Sequence, residues 1–198
     1  MNFSTLNIST VSICKSGKSL KLFNDVKKPL ALQSTVLYCP FGVSRFENKW
    51  SGMYDYTVSC YTDEDFHSFS EALDKKVAEC LTQFTTSELQ STLRQNKDYP
   101  KLFRLKLPRD SNGNFNFVIF DKEKNKIKVT EDNIEEVFCK KRLFKCIMQC
   151  EKITDWNDKA SIQWIITQAR YTEQQSKQQS NTESNIQVDS AYNTCLIE

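Results

Sequence analysis

The chain has 198 residues, 39% of them hydrophobic, and its 27 basic and 25 acidic side chains leave a formal net charge of +2. This length allows one domain with a tail or at most two small domains. No apolar run approaches the roughly 18 residues of a membrane span, and the first residues lack the basic-then-apolar pattern of a secretory signal. We therefore expect a cytosolic or nuclear protein that does not enter a membrane and keeps its cysteines reduced.

The first part of the sequence predicts strands followed by helices. Residues 7–43 are strand-like, with turns at KSGKS and NDVKKP, and YDYTVSC alternates as a further strand. Apolar residues then recur at helical spacing from Phe66 to Phe84, which predicts an amphipathic helix that starts after Thr62. The segment TSELQSTLRQN begins with a capping-box pattern and predicts a second, short helix.

The second part of the sequence returns to strands. KLFRLKL and FNFVIFD predict one hairpin, Thr130 is expected to cap a brief helix, and RLFKCIMQCEKI and SIQWIITQARY predict a second hairpin around DWNDK. Residues 173–198 contain mainly Gln, Ser, Asn and Thr with scattered acids, which predicts a disordered acidic tail. The order of elements predicts one domain over residues 1–172, of the α+β class but mainly β, with helical insertions in a closed or half-closed β-structure.

The eight cysteines and the single histidine do not form a recognisable reactive site. On one strand, at ~3.3 Å per residue, Cys146 and Cys150 would lie about 13 Å apart, too far for a shared zinc ion or a disulfide. We expect most of the cysteines to pack in the core. His67 is expected on the solvent side of the helix, and SICKSGKS lacks the first glycine of a phosphate-binding loop. We therefore predict no enzymatic activity, no metal and no cofactor, with a small hydrolase as the least favoured alternative.

Cations and aromatic rings alternate in three segments of the sequence, over residues 45–56, 99–109 and 140–145. Residues 97–128 carry nine Lys/Arg against four acids, and residues 138–152 carry five against one. Single-stranded nucleic acid needs this chemistry, because cations neutralise phosphates and exposed rings stack on unpaired bases at about 1–3 kcal/mol each. For Phe115, Phe117 and Phe120 we expect a place in the core. We predict nucleic-acid contacts from Arg45, Lys49, Trp50, Tyr54, Tyr99, Lys101, Phe103, Arg104, Lys106, Lys140, Lys141, Arg142, Lys145, Trp156, Trp164 and Arg170.

The order of several motifs is similar to that of a known family. TVLYCPFGV, YDYTVSC, YPKLFRLKLP, FVIFD and RLFKCIMQCEKITDW…SIQWIITQARY, spread over residues 30–171, resemble the OB-fold single-stranded DNA-binding proteins of nucleocytoplasmic large DNA viruses. The resemblance implies an OB-fold-like β-barrel that coats unwound DNA in replication or repair, with strands at 101–107, 143–152 and 162–171 in the binding barrel. The chain departs from the family in having KASIQW where a glycine is usual before the last strand, and a longer tail.

The same resemblance implies single-stranded DNA as the partner, with single-stranded RNA as the alternative polymer. The acidic tail is a candidate segment for docking replication proteins or for competing with DNA at the basic surface, and oligomerisation is left open. If the protein is viral, we expect it at the viral replication site of the host cell. From a different class, the alternative is a protein-interaction module, for example a viral accessory factor that binds a host protein through its aromatic strands.

Overall fold

The computed structural model describes residues 2–17, 19–48, 52–95 and 99–172, so the predicted tail lies outside the described residues. Strands predominate, with one long helix between the sixth and seventh strands. In chain order the elements are β1 (Ser12–Ser16), β2 (Ser19–Phe23), β3 (Ala31–Gln33), β4 (Leu37–Cys39), β5 (Val43–Glu47), β6 (Tyr54–Cys60), α1 (Glu64–Leu81), β7 (Glu88–Leu89), β8 (Leu93–Arg94), β9 (Leu102–Leu107), β10 (Val118–Phe120), β11 (Lys126–Ile127), α2 (Ile134–Val137), β12 (Arg142–Trp156) and β13 (Lys159–Tyr171).

The sheet is built around the long β12–β13 hairpin, as predicted. Asn157 and Asp158 form its two-residue turn with φ of 50° and 58°, the left-handed geometry that lets a two-residue turn follow the twist of its strands. The strand order is β1-β2-β12-β13-β9-β6-β5, and the shorter strands attach along this path. The prediction of a mainly β protein with helical insertions is confirmed, with the difference that the sheet formed by the described residues stays open.

Helix α1 packs its apolar stripe against the inner face of the sheet. Its first turn is capped by Asp63, whose side chain accepts a hydrogen bond from Phe66 N at 2.9 Å, so the cap lies one residue after the predicted Thr62. The ring of Phe66 meets that of Phe103 on β9 at a centroid distance of 5.0 Å. The helix ends at Leu81, three residues before Phe84, and Phe84 is therefore exposed.

Residues 85–95 do not form the predicted second helix. Glu88 N donates to Asp158 O at 2.9 Å and Gln90 N donates to Ala160 O at 2.7 Å, which adds β7 to β13 as a parallel strand. These bonds to a neighbouring strand replace the i→i−4 bonds of a helix. The Ser and Thr residues of the segment also favour turns, because their side chains compete for backbone partners.

Strand β10 does not fold back on β9, so the first predicted hairpin is wrong. Its residue Ile119 pairs in parallel with Ala169 of β13, and β11 covers its other edge. The two edges of β9 are already occupied, one by β6 and the other by β8 and β13. Between residues 108 and 117, within the described part of the chain, only Arg109 and Phe115 form a bridge.

The brief helix α2 is present but begins differently from the prediction. Asn133 stands at its N-terminus, and its side chain accepts a hydrogen bond from Thr130 N at 2.8 Å. Thr130 instead accepts from Ile134 N through its carbonyl oxygen at 3.1 Å. The predicted position of this helix is confirmed, whereas its predicted cap is wrong.

Most of the described cysteines pack in the core, as predicted. Cys39, Cys60, Cys146 and Cys150 are buried, and Cys14 is exposed. Burial raises the pKa of Cys146 to about 12 and that of Cys150 to about 11, so both remain neutral thiols. Among the described residues no group of three metal-ligating side chains comes together, and no helix is both long and apolar enough to cross a membrane.

Candidate nucleic-acid interface

A groove crosses the outer face of the sheet, opposite the face that packs on α1. Strand β9 supplies its floor by alternation, because its odd-numbered residues are buried while Arg104 and Lys106 point outward. Lys106 pairs with Thr57 of β6 on one side and with Ile165 of β13 on the other. The floor of the groove therefore extends across three neighbouring strands.

Three depressions in this surface meet at one arginine. Their volumes are about 340, 430 and 560 Å³, and Arg94 on β8 lines all three. We call their combined surface the groove. Its principal side chains are Phe41, Phe46, Arg94, Tyr99, Arg104, Lys106, Lys152, Trp156 and Lys159.

Two arginines share the centre of the groove. Arg94 pairs with Leu102, two residues before Arg104, so the two guanidinium groups belong to the same outer face. Burial, and after it the charge of Arg94, lower the pKa of Arg104 from its ordinary value. Across residues 2–17, 19–48, 52–95 and 99–172 neither arginine has a carboxylate within ion-pair distance. An anion placed between them would relieve their repulsion, so this pair is suited to phosphate.

The turn that carries Arg94 is tied to helix α1 through one carboxylate. Asp74 accepts hydrogen bonds from Thr92 N at 2.7 Å and from Ser91 Oγ at 3.3 Å, and a further one from the Thr92 hydroxyl. Burial raises the pKa of Asp74, although the bonds from Thr92 and Ser91 oppose the shift. Asp74 therefore fixes the approach of β8 to the groove without lying in it.

Lysines extend the positive charge on either side of the arginines. Lys106 is partly neutralised, because its Nζ lies 3.2 Å from Asp55 Oδ1. Lys152 and Lys159 form no ion pair with any described residue, and they reach the groove from the two strands of the β12–β13 hairpin. The groove is therefore basic along its length.

Large aromatic side chains stand exposed around this basic surface. Phe41 is 55% exposed, Phe46 46%, Tyr99 64% and Trp156, at the tip of the hairpin, 72%. Burying a ring of this size normally contributes to stability, so four such rings around one groove form an apolar surface available to a ligand. Flat rings of this kind stack on unpaired bases.

Five of the predicted contact residues lie at the groove, but one of them is part of its support. They are Tyr99, Arg104, Lys106, Trp156 and Trp164. Trp164 is only 3% exposed, and its ring lies 6.2 Å from that of Phe103. Phe103 is fully buried. The predictions that Phe103 and Trp164 contact bases are therefore wrong, because strand alternation places both rings on the core side.

Three other predicted residues lie away from the groove, namely Arg45, Tyr54 and Lys101. The Arg45 guanidinium stands 3.6 Å above the Tyr54 ring, and Arg45 pairs with the buried Tyr56, so it occupies the opposite face from Phe46. Lys101 Nζ forms an ion pair with Glu71 Oε1 of α1 at 2.8 Å. The interleaving of charge and aromatic residues in these segments reflects two faces of a strand, of which only one reaches the groove.

The predicted group Lys140, Lys141 and Arg142 lies at the start of β12, at the opposite end from Trp156. Arg142 is engaged locally, because its guanidinium lies 4.3 Å above the Tyr171 ring and donates to Glu136 O at 3.0 Å. Lys140 and Lys141 are exposed. This turn stands beside the Phe41 end of the groove, since Val43 N donates to Phe138 O at 3.0 Å.

The remaining predicted residues divide between a separate surface and an undescribed segment. Lys145 and Arg170 line a shallow depression of about 270 Å³ together with the exposed Ile147. Lys49 and Trp50 lie outside the described residues, so the structure does not test them.

Several residues of the groove were not among the predicted contact residues. Arg94 lies in a segment that predicts a helix, which does not form, and Phe41 lies just before the first segment of alternating cations and rings, which begins at Arg45. Lys152 and Lys159 carried a usable signal, because the correctly predicted hairpin around DWNDK places them on either side of its tip, close to Trp156.

Comparisons with known proteins give relatives for the fold. No protein-family model matches the chain. The fold is similar to the single-stranded DNA-binding protein from bacteriophage Enc34 in complex with ssDNA, with a TM-score of 0.52 and 9% sequence identity over 84% of this chain and 97% of that chain. A C-terminal truncation of the same phage protein gives a TM-score of 0.51 and 8% identity over 84% and 96% of the two chains.

A sequence relative comes from Acanthamoeba polyphaga mimivirus. The chain is 25% identical over 163 residues to an uncharacterized protein of this virus, and the match covers 73% of this chain. The chain spans only 26% of the length of that relative. At these levels of identity the solved structures establish a shared fold.

Proposed function

We propose that the protein binds single-stranded DNA in the groove, without catalysing a reaction on it, and coats unwound DNA in replication or repair. The arginines and lysines contact the phosphates, and the exposed rings stack on the bases. The observation that carries this proposal is the Arg94–Arg104 pair, two guanidinium groups within one groove that lack a carboxylate partner among the described residues.

The arrangement of rings favours single strands over duplex. Stacking on Phe46, Tyr99 or Trp156 requires a base whose face is free, and the faces of bases in a duplex are occupied by their neighbours. Phosphate contacts alone would hold duplex and single strand alike. The combination of both contacts in one groove therefore selects a flexible strand with unpaired bases.

Two comparisons support the proposal. The fold is similar to a phage protein whose structure is described in complex with ssDNA. The sequence match to a mimivirus protein is consistent with a viral setting and with the resemblance to single-stranded DNA-binding proteins of large DNA viruses.

The proposal is tested by titrating the full chain with oligo(dT), the corresponding single-stranded RNA and a duplex, at two salt concentrations. We expect Trp fluorescence to be quenched by oligo(dT), and its affinity to fall linearly with salt on a logarithmic plot, with a slope of about 0.7 for each phosphate neutralised. Duplex should bind more weakly at each salt concentration. Equal affinity for duplex and single strand, or unchanged fluorescence and mobility at low salt, would refute the proposal.

A further inference from the structure

A second basic surface lies on the β12–β13 hairpin, apart from the groove. In the register of the sheet, Lys145 of β12 pairs with Arg170 of β13. Arg170 pairs on its other side with Phe120 of β10, which in turn pairs with Lys126 of β11. Because paired residues of adjacent strands face the same side of a sheet, these four side chains form one row across four strands. We call this row, together with the neighbouring Ile147 and Gln168, the hairpin patch.

The hairpin patch has the same chemistry as the groove. Three cations flank one half-buried ring, and Ile147 is exposed beside them. Lys126, Lys145 and Arg170 have no carboxylate within ion-pair distance in the part of the chain that the structure describes. Lys145, Ile147, Gln168 and Arg170 line the depression of about 270 Å³ on this surface.

The patch and the groove belong to the same face of the sheet. Lys106, on the floor of the groove, pairs with Ile165, and Ile165 pairs with Gln149. Gln149 and Lys145 are four residues apart on β12, so they face the same side and stand about 13 Å apart at ~3.3 Å per residue. A nucleic-acid strand that leaves the groove and follows β12 therefore reaches the row of cations within a short distance.

We infer that the hairpin patch is a second contact region for the same nucleic-acid strand, so that the occluded site extends from the groove along β12–β13 to Lys145, Arg170 and Lys126. This inference rests on the proposed function, since it assigns the path of a strand already held in the groove. It predicts a site longer than the groove alone, and a contribution of the patch that appears only with long strands.

The test uses the double variant Lys145→Glu/Arg170→Glu in the full chain, with two lengths of oligo(dT). A length of about 8 nucleotides lies within the ~4–16 nucleotides that single OB folds occupy, and a length of about 30 exceeds them. We expect affinity for the long strand to fall about tenfold, and its salt slope to fall by about 1.4, which corresponds to two lost phosphate contacts. Affinity for the short strand should stay within about twofold of wild type.

Two controls keep the result interpretable. Lys145→Gln/Arg170→Gln removes the charges without reversing them and should give a smaller loss in the same direction. Lys28→Glu/Lys75→Glu changes two exposed cations elsewhere and should bind both lengths as wild type does. Thermal unfolding checks that each variant is folded.

The outcomes separate this inference from the proposed function. A folded Glu variant that binds the long strand with wild-type affinity and salt slope overturns the inference while the groove stays in place. Equal losses for short and long strands also overturn it, because the patch would then belong to the groove itself. If wild type binds neither length at low salt, the proposed function fails first.

Discussion

Arg94 and Arg104 occupy adjacent strands on one face, and burial, together with the charge of Arg94, lowers the pKa of Arg104. The protein keeps two like charges in a partly buried groove, an arrangement that costs stability in the free protein. Such a cost is consistent with selection for a ligand that carries the opposite charge. In the proposed complex, a phosphate between the two guanidinium groups would offset this cost.

Replacing either arginine should therefore separate binding from stability. We expect Arg94→Ala and Arg104→Ala each to weaken oligo(dT) binding by about 1.5–3 kcal/mol, the range for hydrogen bonds to charged groups. Thermal stability should stay the same or rise, because like-charge repulsion is removed. Fluorescence titration and thermal unfolding of the same samples measure both effects. The exposed Lys75, changed to Ala, is the matched control. A loss of binding that is accompanied by unfolding would argue against a direct phosphate contact.

Trp156 should supply both affinity and the optical signal of binding. Its ring is exposed at the hairpin tip, so Trp156→Ala should cost about 1–3 kcal/mol of binding free energy, the usual value for one stacked base. Most of the fluorescence quenching should disappear with it. Trp164→Phe is the matched control, because Trp164 is buried and its replacement should leave quenching intact. Full quenching in the Trp156→Ala variant would place the bases elsewhere.

Local patterns predicted the elements whose partners are close in sequence. The β12–β13 hairpin, the β6 strand and the buried stripe of α1 follow from alternation, helical periodicity and a two-residue turn. The segment around Arg94 and the pairing of β10 could not be predicted in this way. Their hydrogen-bond partners, Asp158, Ala160 and Ala169, are tens of residues away, and competition among strands for the edges of β9 and β13 decides the outcome.

The same limit applies to the site. Alternating charge and aromatic residues indicated nucleic-acid chemistry, and Tyr99, Arg104, Lys106 and Trp156 do lie at one groove. The pattern could not tell the outer face of a strand from the inner one. Phe103 was therefore assigned to the ligand although it packs on α1.

Asp74 should act on binding through the position of Arg94. Asp74→Ala removes the acceptor for Thr92 N and the Ser91 hydroxyl, so β8 loses its tie to α1. We expect weaker oligo(dT) binding with an unchanged salt slope, since no phosphate contact is removed directly. Asp74→Asn, which keeps one acceptor oxygen, should restore part of the affinity. A salt slope that falls as it does in Arg94→Ala would contradict the positioning role.

The buried carboxyl of Asp74 should also leave a signature in stability against pH. Burial raises its folded pKa above the ordinary value of 3.8. Its contribution to the free energy of unfolding is thus fully present below pH 3.8 and is lost as pH rises through the folded pKa. We therefore expect the stability of wild type relative to Asp74→Asn to decrease in denaturant titrations as the pH rises above 3.8. If this relative stability instead increased with pH, the effect of the hydrogen bonds from Thr92 on the pKa of Asp74 would outweigh that of burial.

The thiols should differ sharply in reactivity in the folded protein. Cys14 is exposed, whereas Cys146 and Cys150 are buried with raised pKa values and stay protonated. Alkylation at about pH 8 should modify Cys14 rapidly and leave the two buried thiols intact until the protein is unfolded. Mass spectrometry of peptides from native and denatured samples measures this order. Rapid native labelling of Cys146 would contradict its place in the core.

Gly42 should be needed for the turn that presents Phe41. Its φ is +79°, and a Cβ atom there would lie 3.1 Å from Phe138 O. Gly42→Ala combines left-handed strain with this close approach, so we expect a loss of about 1–3 kcal/mol in the free energy of unfolding. Gly52 also has a positive φ but has nothing within 4 Å of a Cβ, so Gly52→Ala isolates the cost of the backbone. Equal losses in the two variants would show that the contact with residue 138 adds nothing.

The path of the bases is the central claim, and photocrosslinking tests it most directly. Oligo(dT) carrying 5-iodouracil at single positions is crosslinked to the full chain, and the adducts are located by mass spectrometry. Stacking in the groove predicts adducts on Phe46, Tyr99 and Trp156. Adducts concentrated on Tyr54 or Tyr171, whose rings are covered by Arg45 and Arg142 on other surfaces, would contradict it.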